Sequence, residues 1–151
     1  MPRSARPRKA YKPRPINAPI TAGLVDMFTD CLMTAETGLH LRADTTDHYD
    51  AIAAVLNVIG PVALRRFGSR SPDAIAIQSA ALAMNAAADR AAAGNGRMYD
   101  HELAAVTRGI EAAKAALPYL DVRSLAEQHR LVLRRSAAER AHPVTHQGAT
   151  R

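Results

Sequence analysis

The chain has 151 residues, with 20 basic and 14 acidic side chains, a formal net charge of +6, one cysteine and no tryptophan. A lone cysteine excludes an internal disulfide, and no Cys/His spacing of the zinc-binding kind occurs. No apolar run approaches the ~20 residues that span a bilayer. The length predicts one domain, and the sparing use of cysteine favours a reducing cytoplasm.

The N-terminal segment holds the excess charge of the whole chain. MPRSARPRKAYKPRPI contains six cations and no acid: Arg3, Arg6, Arg8, Lys9, Lys12 and Arg14. Its prolines favour an extended backbone and forbid the amphipathic helix of a transit peptide. The apolar region of a signal peptide is also missing. We therefore predict an extended or disordered basic arm over residues 1–19.

The first two predicted helices follow the arm. One runs from about Thr21 to Thr37 and ends at Gly38. Its inward stripe comprises Leu24, Phe28, Cys31, Leu32 and Ala35, which predicts that Cys31 is a buried, inert thiol. The next begins after Thr45 and Thr46, either of which can cap it, and Gly60-Pro61 predicts a kink before Phe67. Its stripe comprises Tyr49, Ile52, Leu56, Ile59 and Ala63.

The third and fourth predicted helices have clear boundary signals. Ser71 caps the third, Pro72 follows at its first position, and the Gly-Asn-Gly of residues 94–96 ends it. Asp100 is predicted to cap the fourth, which stops at Pro118. Its inward residues are Leu103, Val106, Ile110, Ala113 and Leu117.

A capping box of Ser124 and Glu127 begins the fifth predicted helix. Its inward stripe comprises Leu125, His129, Val132 and Leu133. Residues 142–151 are predicted to form a flexible tail. Short connections between long amphipathic helices favour antiparallel neighbours. The sequence therefore predicts an all-α fold: a compact bundle of four or five helices in a single domain over residues 20–141.

Charge falls into three zones along the chain. The arm is strongly basic, residues 17–120 carry eight basic and eleven acidic side chains, and residues 121–151 carry six and three. In the last zone Arg123, Arg130 and Arg134 recur at helical spacing opposite Leu125, and Arg135 lies beside them. Such a face is either an ordinary solvated surface or a second phosphate-contacting site that extends the arm.

The arm suits a polyanion. Its cations alternate with prolines, and Tyr11 is placed to stack on a base. The ARPRK and KPRP segments resemble the Arg-Pro core of AT-hook peptides, which enter the minor groove, but lack the glycine of that motif. RNA, an acidic protein surface or a purely solubilising tail fits the same charges.

Motifs for reading bases are missing. Aligning Ala105 and Gly109 with a helix-turn-helix places Pro118 inside the recognition helix, which proline would break. The sequence has neither an aromatic RNP motif nor a GXXG loop of the KH type. Any contact with nucleic acid is therefore expected to use the backbone and shape of the nucleic acid.

Enzyme motifs are equally scarce. Four side chains that could hold a cation lie near the start of the second helix: Asp44, Asp47, His48 and Asp50. Carboxylates at this place are also favoured by the positive end of the helix dipole, which is the preferred interpretation. His40 is predicted to lie beyond the helix that carries Glu36, and His129 is interpreted as a core histidine. No phosphate loop, GxSxG or HExxH occurs. We predict no catalytic residue, metal site or cofactor.

Residues 8–16, RKAYKPRPI, resemble the opening of small uncharacterised proteins encoded by proteobacterial phages and prophages. Those proteins often begin with a basic Lys/Arg-x-Tyr-Lys/Arg-Pro-x-Pro run. The resemblance implies a bacterial cytoplasm and an accessory or regulatory role, and it brings no catalytic residue.

Two functions of different classes follow from these features. The first is a non-enzymatic protein that binds DNA or RNA through the arm, with Arg123, Arg130, Arg134 and Arg135 as secondary contacts. The alternative is a helical protein-interaction module. In that case the arm would dock on an acidic partner, and the alanine-rich surfaces of the third and fourth helices would form an oligomer interface.

Overall fold

Five α-helices build the part of the chain described by a computed structural model, residues 18–41 and 45–141. They are α1 (Ala18–His40), α2 (Thr46–Phe67), α3 (Pro72–Ala92), α4 (Asp100–Ala116) and α5 (Val122–Ala141), with a 3₁₀ turn (Leu117–Tyr119) between the last two. For residues 18–22 only the backbone is described. These residues form no β-strand, and the predicted all-α helical bundle is confirmed.

The centre of the bundle is formed by α2, α3 and α4, which make the most extensive contacts in the protein. Small side chains set the spacing between α3 and α4. Gly109 lies so close to α3 that a Cβ built on it would overlap the Cβ of Ala80 and sit 3.0 Å from the backbone oxygen of Ala76. Close helix axes let dispersion contacts replace the burial of bulky aromatic residues.

Helix α1 extends past its predicted stop. It continues through Gly38 to His40, so the predicted end at Gly38 was wrong. The glycine is there for packing, because a Cβ at that position would overlap the imidazole ring of His48 on α2. The predicted stripe is mostly confirmed, with Phe28, Leu32 and Ala35 buried, but Cys31 is only half-buried.

Helices α2 and α3 begin as predicted. The Thr45 hydroxyl accepts a hydrogen bond from the His48 backbone N–H at 3.3 Å, and Ser71 does the same for Ala74 at 3.4 Å. All five predicted core residues of α2 are buried: Tyr49, Ile52, Leu56, Ile59 and Ala63. Helix α2 continues through Pro61. After the end of α3, Gly94 has a φ of 89°, a backbone conformation that favours glycine.

Both later helices begin earlier than their predicted caps. Tyr99, not Asp100, precedes α4, and its backbone N–H donates to the Glu102 carboxylate at 2.9 Å. Before α5 the Asp121 carboxylate accepts from the Ser124 backbone N–H at 2.8 Å and from its hydroxyl at 2.7 Å. The predicted capping box was therefore wrong, because Ser124 donates to a cap already in place.

Helix α5 lies at the edge of the bundle. Only Leu125 among its residues is buried, while His129 and Val132 are half-buried against the core. The prediction that Leu133 faces inward was wrong, since its side chain is 53% exposed. Because the helix packs along one narrow stripe, its remaining sides are open to solvent.

Helix α1 packs against the first half of α2 in the antiparallel direction. Gly38 contacts His48, so the end of α1 meets the start of α2. Nearer the middle of α1, the Phe28 ring makes an edge-on contact with the His129 ring of α5, and the two ring centroids are 5.7 Å apart. The neighbouring Gln128 donates to the Asn57 backbone oxygen at 3.4 Å, midway along α2.

Candidate nucleic-acid interface

The predicted arginine face of α5 is exposed to solvent. At about 100° per residue, Arg123, Arg130 and Arg134 share the side opposite the buried Leu125, whereas Arg135 is turned well away from them. All four guanidinium side chains are exposed. The helix therefore presents three aligned arginines, and Arg135 forms a separate flank.

Few carboxylates neutralise these arginines. Arg123 pairs with Glu127 at 3.3 Å, one helical turn away, and both side chains are well exposed. Within residues 18–41 and 45–141, no carboxylate forms an ion pair with Arg130, Arg134 or Arg135. Their charges are consequently available to an external anion.

The seven predicted arm residues lie outside the described residues; they are Arg3, Arg6, Arg8, Lys9, Tyr11, Lys12 and Arg14.

Arginines at the end of α2 escaped the sequence analysis. Arg65 and Arg66 lie in the last turn of α2, Arg70 follows in the connection to α3, and all three are exposed. Arg66 Nε also donates to the Tyr119 backbone oxygen at 3.4 Å, which places the 3₁₀ turn beside α2. We call Arg65, Arg66 and Arg70, with the exposed rings of Phe67 and Tyr119, the basic end of the bundle. The sequence contains these three arginines close together in the run Arg-Arg-Phe-Gly-Ser-Arg. This local positive charge was overlooked because residues 17–120 as a whole carry more acidic than basic side chains.

At the opposite end of the bundle an arginine is half-buried and paired with a buried carboxylate. Arg90 of α3 donates to the buried Glu102 of α4, which also accepts from the Tyr99 backbone N–H. The Tyr99 ring covers the Arg90 guanidinium at 4.5 Å from its centroid and stacks on His101. We call Arg90, Tyr99 and Glu102 the clasp, because they join the end of α3 to the start of α4.

The charges of the clasp are set by mutual contact. Burial alone would raise the pKa of Glu102, but hydrogen bonds from Arg90 and the Tyr99 backbone, with the charge of Arg90, lower it below its ordinary value. The hydrogen bond to Glu102 in turn raises the pKa of Arg90. The pair stays ionised and stabilises the α3–α4 connection, so it is a structural feature rather than a reactive one.

The predicted acidic cluster near the start of α2 is only partly described, since Asp44 lies outside the described residues. Asp47 and Asp50 are exposed, and the His48 ring lies against Gly38 instead of turning toward them. The part of the chain that the structure describes holds no group of three or more His, Cys, Asp or Glu side chains placed to bind a metal.

Glu36 and His40 share α1, contrary to the prediction that His40 lies beyond the helix. Glu36 pairs with Lys114 of α4 at 2.8 Å, and this hydrogen bond lowers the pKa of Glu36 despite partial burial. The two residues of α1 line a cleft of about 160 Å³ whose opposite wall includes Thr107 and Ile110. The Thr107 hydroxyl donates to the Leu103 backbone oxygen and the Glu36 carboxylate is paired with Lys114, so these two polar groups of the cleft already have partners.

The alanines of α3 and α4 face each other within one chain. Ala80, Ala81 and Ala87 on α3 and Ala112 and Ala113 on α4 are buried in the core. These five alanines are covered within the bundle, whereas Ala86 of α3 and Ala104 and Ala115 of α4 are exposed, so the oligomer interface on the outer surfaces of the two helices stays a prediction. Ile75 and Leu82 are also exposed on the outer side of α3.

None of the described helices is both long enough and apolar enough to cross a bilayer. No protein-family model, curated protein or solved structure matches the chain significantly.

Proposed function

We propose that this protein is a non-enzymatic, nucleic-acid-associated accessory or regulatory protein that binds through its basic arm. The observation that carries the proposal is the segregation of charge: six cations and no acid in the first sixteen residues. When basic side chains of a protein contact the phosphates of a nucleic acid, the counterions condensed on the nucleic acid are released. This release drives association without any contact to the bases. An isolated basic segment of this kind matches that mechanism better than recognition of a small substrate.

The arginine face of α5 supports the same proposal. Arg130 and Arg134 are exposed, aligned and unneutralised by carboxylates in residues 18–41 and 45–141. Backbone phosphates are the expected ligands, because the sequence contains no motif for reading base edges. The resemblance of the arm to phage and prophage proteins is in keeping with an accessory or regulatory role in a bacterial cytoplasm.

A binding titration tests this function. Full-length protein and a Δ1–16 truncation are compared on duplex DNA, single-stranded DNA and RNA at low and moderate salt. We expect the full-length protein to bind with log K falling linearly with log salt, and the truncation to lose most of this binding. A second variant with Arg3, Arg6, Arg8, Lys9, Lys12 and Arg14 changed to Gln separates charge from chain length.

The α5 arginines have their own variant, with Arg123, Arg130, Arg134 and Arg135 changed to Gln. We expect a weaker affinity and a shallower salt slope than for the natural chain, because fewer phosphates are contacted. If the full-length protein binds none of the three nucleic acids even at low salt, the proposal fails. Isolation of a stoichiometric complex with an acidic protein would then favour the protein-interaction alternative.

A further inference from the structure

We infer that the basic end of the bundle is a binding surface for single-stranded nucleic acid. The inference rests on the proposed function and adds to it a place on the folded body and a class of ligand. It is carried by two features that the fold brings together: exposed arginines and exposed aromatic rings.

The arginines form the electrostatic part of this surface. Arg65, Arg66 and Arg70 are all exposed, and within residues 18–41 and 45–141 none of them forms an ion pair with a carboxylate. Positive charge from the last turn of α2 and from the connection that follows it is therefore concentrated at one end of the bundle.

The aromatic rings distinguish single strands from duplexes. The chain has only six aromatic residues of the Phe and Tyr types, yet Phe67 and Tyr119 are 39% and 69% exposed at this end. Arg66 links them, since it precedes Phe67 in the sequence and donates to the Tyr119 backbone oxygen. Unpaired bases stack on exposed aromatic rings while arginines contact the phosphates, whereas the bases of a duplex are already stacked on each other.

The test measures binding of labelled oligothymidine, oligouridine and a DNA duplex by fluorescence anisotropy, using the full-length chain. One variant changes Arg65, Arg66 and Arg70 to Gln, and another changes Phe67 and Tyr119 to Leu. The matched charge control changes Arg97, Arg108 and Arg140, all exposed elsewhere, to Gln. The matched aromatic control changes Tyr99 of the clasp to Leu, and circular dichroism verifies that every variant is folded.

We expect the arginine variant to bind single strands about tenfold more weakly and with a salt slope lower by about 2, which the charge control does not reproduce. The aromatic variant should lose about tenfold on single strands and little on the duplex, while Tyr99→Leu binds normally. Comparison of oligothymidine with oligouridine shows whether DNA or RNA is preferred.

Equal losses in the arginine variant and its charge control would overturn the inference, since only net charge would then matter. So would an aromatic variant that binds single strands like the natural chain. In either case an arm-dependent interaction would leave the proposed function standing. Failure of the unmodified protein to bind any of the three probes would overturn both the function and the inference.

Discussion

The two ends of the bundle use the same residue types in opposite ways. At the clasp, Arg90 is held by the buried Glu102 and covered by the ring of Tyr99. At the basic end, Arg65 and Arg70 are exposed without an ion pair in the described part of the chain, and the nearby rings are open to solvent.

The difference shows how to distinguish arginines that maintain the fold from those available for binding. An arginine with a buried carboxylate partner is needed to neutralise that partner, so its removal leaves an uncompensated charge. An exposed arginine without such a partner contributes little to stability. Substitutions at the clasp should therefore lower stability, and substitutions at the basic end should lower binding.

The largest effect on stability is expected at the close contact between α3 and α4, where Gly109 lies against Ala80. Gly109→Ala places a methyl group against Ala80 and the Ala76 backbone, which forces the helices apart. We expect a loss of about 3 kcal/mol in the free energy of unfolding, measured by urea denaturation. Adding Ala80→Gly should restore part of it, and a double variant no more stable than Gly109→Ala alone would contradict this packing.

At the clasp itself, Glu102→Ala removes the acceptor for Arg90 and for the Tyr99 backbone N–H. We expect a loss of about 2 kcal/mol in the free energy of unfolding, since hydrogen bonds to a charged group are lost. The triple Gln variant of Arg65, Arg66 and Arg70 should stay within about 1 kcal/mol of the natural chain. Equal destabilisation of both variants would remove the distinction between the two ends.

Acid should weaken the clasp more than the basic end. The pKa of Glu102 is lowered by folding from an ordinary 4.5, and the pKa values of Glu36 and Asp121 are also lowered. A carboxylate whose pKa is lowered in the folded state stabilises the fold at pH values above its pKa in the unfolded state. This stabilisation is lost as the pH falls through the pKa of the folded state. The melting temperature should therefore decline below about pH 4.5, and Glu102→Gln should flatten the decline. An unchanged acid profile in that variant would argue against a role for the clasp.

The smallest expected effects come from one substitution made at two places on α1. Gly38→Ala should lower the free energy of unfolding by about 1 kcal/mol, because its methyl group displaces the His48 ring. Gly23→Ala meets no atom within 4 Å and should raise stability by up to about 1 kcal/mol through helix propensity. Thermal melts compare the two variants, and His48→Ala should relieve the cost at Gly38. A stabilising Gly38→Ala would show that the His48 contact is dispensable.

Much of the fold could be predicted from local patterns. The 3.6-residue spacing of apolar residues identified α2 correctly, and Ser71-Pro72 marked the start of α3. The errors arose where a residue type has two uses. Gly38 was interpreted as a helix stop, whereas it allows a close contact, and Ser124 was interpreted as a cap when Asp121 already occupies that position.

The candidate site was only partly predictable for the same reason. A recurring arginine spacing within a single helix is visible in the sequence, which is why the face of α5 was found. Arg65, Arg66 and Arg70 are separated from Tyr119 by some fifty positions in the sequence, and the fold brings the two segments together at the Arg66–Tyr119 contact. The exposure of Phe67 likewise depends on where the helix ends relative to its neighbours.

By itself, the sequence determined the helical class, the apolar stripes and the concentration of positive charge in the arm. These properties depend on neighbouring residues, because helix formation and local charge are short-range features of the chain. The tertiary structure decided which glycines are packed and which arginine is held by a buried carboxylate. Those outcomes depend on the packing of α1 on α2 and of α3 on α4, which brings together residues that no local pattern connects.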